Sequence, residues 1–181
     1  MKRAFPVARS HPNGSSLGLS ADLWWQGYGG LSLKNAKYKI RTLLKIRSPP
    51  NFIILHVGGN DLGNINLKRI RFLVEDLFCY LRTAMVDTKV IWSEVLPRQW
   101  VNGPKELEKS RKRLNTFAVQ KTKQNGGFYL RHLYLQPFGK SGNGFYATDG
   151  VHLSPNGNGL FVDGIKQGLL SFLQGNQPWF Q

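Results

Sequence analysis

Three short stretches hold residue types that could do chemistry together: Asp149-Gly150-Val151-His152, Gly59-Asn60-Asp61 and Gly27-Tyr28-Gly29-Gly30. An acid three residues before a histidine, in a turn just ahead of a helix, can accept a hydrogen bond from the histidine Nδ1–H. That bond fixes the tautomer and leaves Nε2 as a general base. Taken singly, Asp-x-x-His is more often a surface pair than a catalytic dyad. A side-chain amide placed after a buried strand, as at Asn60, can donate to a developing oxyanion, an effect worth about 3–4 kcal/mol. The plainer alternative is that Asn60 and Asp61 cap the turn that follows. Glycines such as Gly30 admit positive φ and leave backbone N–H groups bare, which suits an oxyanion or a phosphate. Taken alone, such a loop more often only turns the chain.

The elements that must position these residues follow from hydrophobic patterning. Phe52 to Val57 is an apolar, β-branched run that ends abruptly in Gly58-Gly59, the pattern of a buried parallel strand feeding a loop. Ligands of open α/β sheets bind just beyond the carboxyl ends of such strands. Leu23 to Gly30 reads as a short strand breaking into the glycine loop, and Leu31 to Arg47 as a helix stopped by Ser48-Pro49-Pro50. Leu67 to Met85 keeps helical spacing at Leu67, Ile70, Val74, Leu77, Phe78 and Leu81. Lys89 to Val95 is the next strand, Pro104 opens a helix running to about Lys123, and Phe128 to Leu135 alternates as a strand. A glycine-rich loop from Pro137 to Gly150 leads to His152. Ser154-Pro155 then caps a last helix through Leu173. Strands alternating with helices predict an α/β fold, a mostly parallel sheet with helices on both faces, in one domain over residues 1–181. Residues 1–20, punctuated by Pro6, Pro12, Gly14 and Gly18, read as loop or broken helix.

Composition narrows the setting. At 181 residues, with 41% hydrophobic and 12% aromatic residues, the chain can bury a substantial core. One cysteine, Cys79, excludes an internal disulfide framework, and no Cys/His cluster has zinc spacing. Met1-Lys2-Arg3 resembles a signal-peptide start, but Pro6, Arg9, His11 and Asn13 deny it an apolar core. No apolar run is long enough to span a membrane. The expectation is an intracellular, cytoplasmic protein without a signal peptide. The net charge of +15 favours an anionic partner, RNA or DNA among them, although dispersed basic residues also fit ordinary solvated helix faces.

Taken together, Gly-x-Gly-Gly before a helix, Val57-Gly58-Gly59-Asn60-Asp61 after a strand, and Asp149-Gly150-Val151-His152-Leu153-Ser154-Pro155 resemble the second, third and fifth sequence blocks of the SGNH (GDSL-type) hydrolases. The resemblance covers the chain from about Leu23 onward. It implies a three-layer α/β/α sandwich with a flavodoxin-like sheet, and hydrolysis of a small-molecule carboxylic ester through an acyl-serine, with no metal and no cofactor. By the resemblance, His152 is the general base, Asp149 its orienting partner, and the Gly30 N–H and the Asn60 side chain are oxyanion donors. The basic, Trp-rich character also resembles esterase domains of some LINE-type retrotransposon proteins.

The family's first block, a strand ending in Gly-x-Ser with the nucleophilic serine, has no counterpart here. Ser10, Ser15 and Ser16 follow no apolar strand. The expectation is a hydrolase domain truncated at its amino end, lacking the first strand and inactive, with nucleic-acid association as the alternative role. Leu23–Gly30 would then pair with Phe52–Val57, or the sheet has a gap. Among the remaining candidates, His56 reads as a hydrogen-bonded core histidine and His132 as a strand-face residue, with His11 in a mobile polar stretch. Trp24 and Trp25 read as core packing, Glu94 as an ion pair or cap near Arg98, and Cys79 as a buried small hydrophobe.

Overall fold

A computed structural model of the chain describes residues 4–98, 105–136, 144–175 and 179–180. In chain order the elements are helix α1 (Ala4–Arg9), helix α2 (Leu33–Leu43), strand β1 (Phe52–Leu55), helix α3 (Leu67–Ala84), strand β2 (Lys89–Ser93), helix α4 (Lys105–Gln124), strand β3 (Phe128–Leu130), a 3-10 turn at Leu133–Leu135, helix α5 (Pro155–Leu173) and strand β4 (Trp179–Phe180). Contacts divide the chain into two compact units. One comprises residues 1–29, 96–103 and 130–181, the other residues 30–95 and 104–129.

The unit of residues 30–95 and 104–129 is built on parallel strands. Phe52 to Leu55 lie opposite Lys89 to Trp92 in parallel register, and the strand order runs β1-β2-β3. β2 is central: Val90, Ile91, Trp92 and Ser93 are all buried. β1 is the edge, and three of its four residues are only half-buried. Gly127 lets β3 approach β2, since a Cβ there would meet the Val90 carbonyl oxygen. Helices α2, α3 and α4 pack in sequence, α2 on α3 and α3 on α4. α3 buries the stripe Ile70, Leu73, Val74, Leu77, Phe78 and Leu81, with Phe78 stacked 6.2 Å from the Trp92 ring. Each fully buried side chain of that stripe contributes about 1.5–3 kcal/mol. Asn66 caps α3 and Ser32 caps α2 through their side-chain oxygens.

In the other unit, α1 packs on α5, and Ala8, Leu17 and Leu19 are buried there. Residues 4–20 are therefore a short helix followed by turns that seal an apolar face. α5 buries Phe161, Val162, Ile165, Leu169 and Phe172. Gly168 lies beneath Leu130, where an added Cβ would come to 2.8 Å of a leucine methyl.

Several sequence expectations need correction. Leu23–Gly30 forms no strand: its residues enter no ladder, and Trp25 spends its indole N–H on the Ser15 carbonyl at 2.9 Å. It therefore does not pair with Phe52–Val57, and β1 keeps an open edge among the described residues. Phe128 to Leu135 is a strand for three residues only, then turns into the 3-10 segment that carries His132 inward. The basic start at Met1–Arg3, Pro104 as a helix opener and residues 137–143 of the glycine-rich loop lie outside the described residues. No described helix is long and apolar enough to cross a membrane.

Candidate active site

Asp149 and His152 stand in a tight turn ahead of α5. The chain folds back on itself between Tyr146 and Leu153, with the Ala147 N–H donating to the His152 carbonyl at 2.8 Å. Gly150 turns the corner at φ 62°, where a side chain would be strained. Ser154 fixes the far end, accepting from the Gly157 N–H at 3.1 Å and donating to the Gly144 carbonyl at 2.6 Å. Gly157 has no room for a Cβ, because the Phe145 carbonyl already fills that space.

Within this frame one Asp149 oxygen accepts from the backbone N–H groups of Val151 and His152, both at 2.9 Å. The other meets His152 Nδ1 at 2.6 Å. A carboxylate only accepts, so the proton lies on Nδ1 and the neutral ring carries its lone pair on Nε2. Nε2 has no partner among the described residues. Side-chain exposures of 50% for His152 and 46% for Asp149 leave the pair open to a reactant. The His152 backbone N–H, then its ring, then the Val151 N–H hold the Asp149 carboxyl far below the usual range. The geometry is that of an oriented general base.

In the other unit, Gly30 and Asn60 come together at the start of α2. The Asn60 amide donates to the Leu31 carbonyl at 3.1 Å, which leaves its second N–H available on an exposed side chain. Gly30 is exposed at φ 67°, with open space where a Cβ would stand, so backbone conformation and not crowding calls for glycine. Asp61 takes the capping role: it is buried and accepts from the Leu33 N–H at 2.9 Å, satisfying an orphan donor at the α2 terminus. Burial pushes its carboxyl up and the Leu33 N–H opposes that rise.

The other candidates fall as follows. His56 bonds Ser93 Oγ at 3.0 Å, a hydrogen-bonded histidine at the end of β1. His132 is not on a strand face: it is buried and stacked 4.7 Å from the Phe161 ring, and burial holds its imidazole down to about 3. His11 lies 3.7 Å from Asp163. Trp24 is 42% exposed and not core, and Cys79 is exposed because it falls outside the buried stripe of α3. Glu94 is buried against Arg111 Nη1 at 3.5 Å. No group of three metal-ligating side chains occurs among the described residues.

Arg111 and Asn115 were not legible as functional positions, yet they hold the exit of β2. Asn115 bonds both the N–H and the carbonyl of Val95, and Arg111 bonds the same carbonyl at 2.8 Å while Glu108 grips its far side at 2.7 and 2.8 Å. The available signal was two polar residues at i,i+4 on a helix face otherwise buried through Leu114 and Ala118.

No protein-family profile matches the sequence, and no curated protein matches it. Solved structures do. A family 3 carbohydrate esterase from Clostridium thermocellum is similar over 89% of this chain and 74% of its own, at 22% identity and a TM-score of 0.66. A GDSL-like lipase from Bacteroides thetaiotaomicron covers 81% and 74%, at 20% identity and a TM-score of 0.61. A psychrotrophic esterase from Pseudoalteromonas covers 80% and 74%, at 18% identity and a TM-score of 0.62. Identities this low speak for backbone architecture alone, and on that ground the chain has the SGNH (GDSL-like) hydrolase fold.

Proposed function

We propose that residues 1–181 are one SGNH-type ester hydrolase domain of the cytoplasm, inactive by itself for want of the nucleophilic serine, whose chemistry once a serine is supplied is hydrolysis of small-molecule carboxylic esters. The observation that carries the reading is the Asp149–His152 pair, whose 2.6 Å bond and backbone-anchored carboxylate orient Nε2 for proton transfer. His152 Nε2 takes the proton of a serine hydroxyl as its oxygen attacks the ester carbonyl carbon, and Asp149 stabilises the imidazolium so formed. The Gly30 N–H and the Asn60 amide receive the oxyanion. Collapse breaks the ester C–O bond, His152 returns the proton to the departing alcohol, and water then releases the acid by the same steps.

The serine itself has no counterpart of the family's first block: Ser10, Ser15 and Ser16, the serines of the first nineteen residues, follow no apolar strand. The 181 residues alone therefore hold the base and the oxyanion donors of an acyl transfer without its nucleophile, and form no acyl-enzyme. Without a triad member, only about 10³–10⁴-fold over water remains. Fluorophosphonate treatment of the purified chain, followed by mass spectrometry, leaves it unmodified; a serine adduct that disappears in His152→Ala overturns the inactivity. Preceding residue 1 with an apolar strand ending in Gly-x-Ser gives labelling that requires both His152 and Asp149. A soluble, folded version of that extended chain that stays unlabelled overturns the hydrolase reading.

A further inference from the structure

We propose that the outward surface of the α2–α3 helix pair binds single-stranded nucleic acid, stacking bases on Tyr38 and Phe72 and neutralising phosphates with Lys34, Arg41, Lys68 and Arg69. The charge of the chain is unevenly divided. The unit of residues 30–95 and 104–129 holds 18 basic and 7 acidic residues, a net +11 out of +15. α2 has no acidic residue at all. The two acids on the outer part of α3 are already occupied, Asp76 by Lys37 at 2.7 and 2.9 Å and Glu75 by Lys121. The exposed cations of α2 and of the first turns of α3 are therefore left facing solvent with little compensating charge.

The placement of rings among these cations points to bases as well as phosphates. Lys34, Tyr38 and Arg41 follow i, i+4, i+7 along one exposed stripe of α2, and Tyr38 is 67% exposed. On α3 the Arg69 guanidinium lies 4.8 Å from the Phe72 ring centre, and that ring is 55% exposed. Lys37 ties the helices together, bonding Asp76 and lying 5.6 Å over Tyr80. Rings alternating with cations on a rigid surface are what single-strand binding uses: stacking is tolerant of sequence, and the backbone supplies the charge. A lipid-inserting face would gather its apolar residues into a continuous stripe. Here each exposed ring is flanked by cations.

Fluorescence anisotropy of a labelled 20-nucleotide oligouridine against the purified chain tests this. Four phosphate contacts give a log–log salt slope of roughly −3. Lys34→Glu with Arg41→Glu reduces that slope by roughly half, whereas Lys112→Glu with Lys123→Glu, the same charge change on α4, leaves it nearly intact. Tyr38→Ala with Phe72→Ala weakens binding about tenfold or more at unchanged slope. Both rings are exposed, so the melting temperature of that variant stays near that of the parent. Equal losses from the α2 and α4 charge pairs overturn the surface, and so does unaltered affinity of the ring variant. Sedimentation with phosphatidylserine vesicles without any oligouridine binding overturns the choice of partner.

Discussion

Two regions of the molecule set a carboxylate against a cationic or basic group, and they use the pairing for opposite ends. Around Val95, Glu94 and Arg111 are buried together, with side-chain exposures of 10% and 6%. At the α5 entrance, Asp149 and His152 are about half exposed. Burial works against the Arg111 charge, and the Glu108 and Glu94 carboxylates more than offset it, so the guanidinium is held above its ordinary range. That network turns its buried groups onto one another and onto Val95; it fixes where β2 ends. The Asp149 carboxylate is instead anchored by its own turn, leaving the imidazole edge to solvent. Satisfaction plus burial makes a clamp, whereas satisfaction plus exposure makes a poised base.

The comparison breaks most sharply at Arg111. Arg111→Ala removes the guanidinium from beside the buried Glu94 and one of the two donors from the Val95 carbonyl, so stability falls by about 3–5 kcal/mol. Urea unfolding followed by circular dichroism measures it. A loss under about 1 kcal/mol would show the clamp to be dispensable.

Next in size is His132, which shares its residue type with His152 and its burial with the clamp. Its folded value near 3 lies below the free imidazole value of 6.5. Between those two values the unfolded chain binds a proton that the folded chain refuses, so stability is complete above pH 6.5 and declines as pH falls toward 3. At pH 5 the loss is about 2 kcal/mol. His132→Gln removes that part of the difference between pH 7 and pH 5, whatever its own stability, and an unchanged difference assigns the acid sensitivity elsewhere.

How far the sequence reached follows the same physical division. Local rules sufficed for α3, whose buried stripe obeys helical period, and for the Ser154-Pro155 start of α5, where cap and proline agree. They also sufficed for Asp149 and His152, three residues apart in one turn. They failed where a long-range partner decides. Leu23–Gly30 has the apolar content of a strand, but a strand exists only by pairing, and Trp25 bonds Ser15 instead. Phe128–Leu135 alternates correctly, yet the packing of His132 on Phe161 ends the strand after Leu130. Arg111, which meets Glu94, lies 17 residues away on α4, beyond any spacing rule.

Asn115 sharpens the clamp side at smaller scale. Its amide reads both polar groups of Val95, and Asn115→Ala strands the Val95 N–H in a buried setting while Arg111 still serves the carbonyl. The expected loss is about 1–2 kcal/mol. Combined with Arg111→Ala, the two losses sum to something other than their separate values, because both act on one carbonyl. Strict additivity in that double-mutant cycle would mean two independent contacts and no shared clamp.

The smallest effect on stability falls on the exposed pair, and it is the most informative about chemistry. In Asp149→Asn the side-chain oxygen can still accept from the Val151 and His152 N–H groups, so the turn and the fold persist, with a change within about 0.5 kcal/mol. What disappears is the second acceptor. An amide NH₂ set against Nδ1 favours the ring tautomer with its proton on Nε2, which is the wrong one for a base. Two-bond ¹⁵N–¹H correlation spectra of the His152 ring read this directly. The parent chain shows the neutral ring protonated at Nδ1, and the variant shows it protonated at Nε2 with an otherwise superimposable amide spectrum. If both chains show the same tautomer, Asp149 does not orient the imidazole, and the contrast between a buried clamp and a poised base loses its second half.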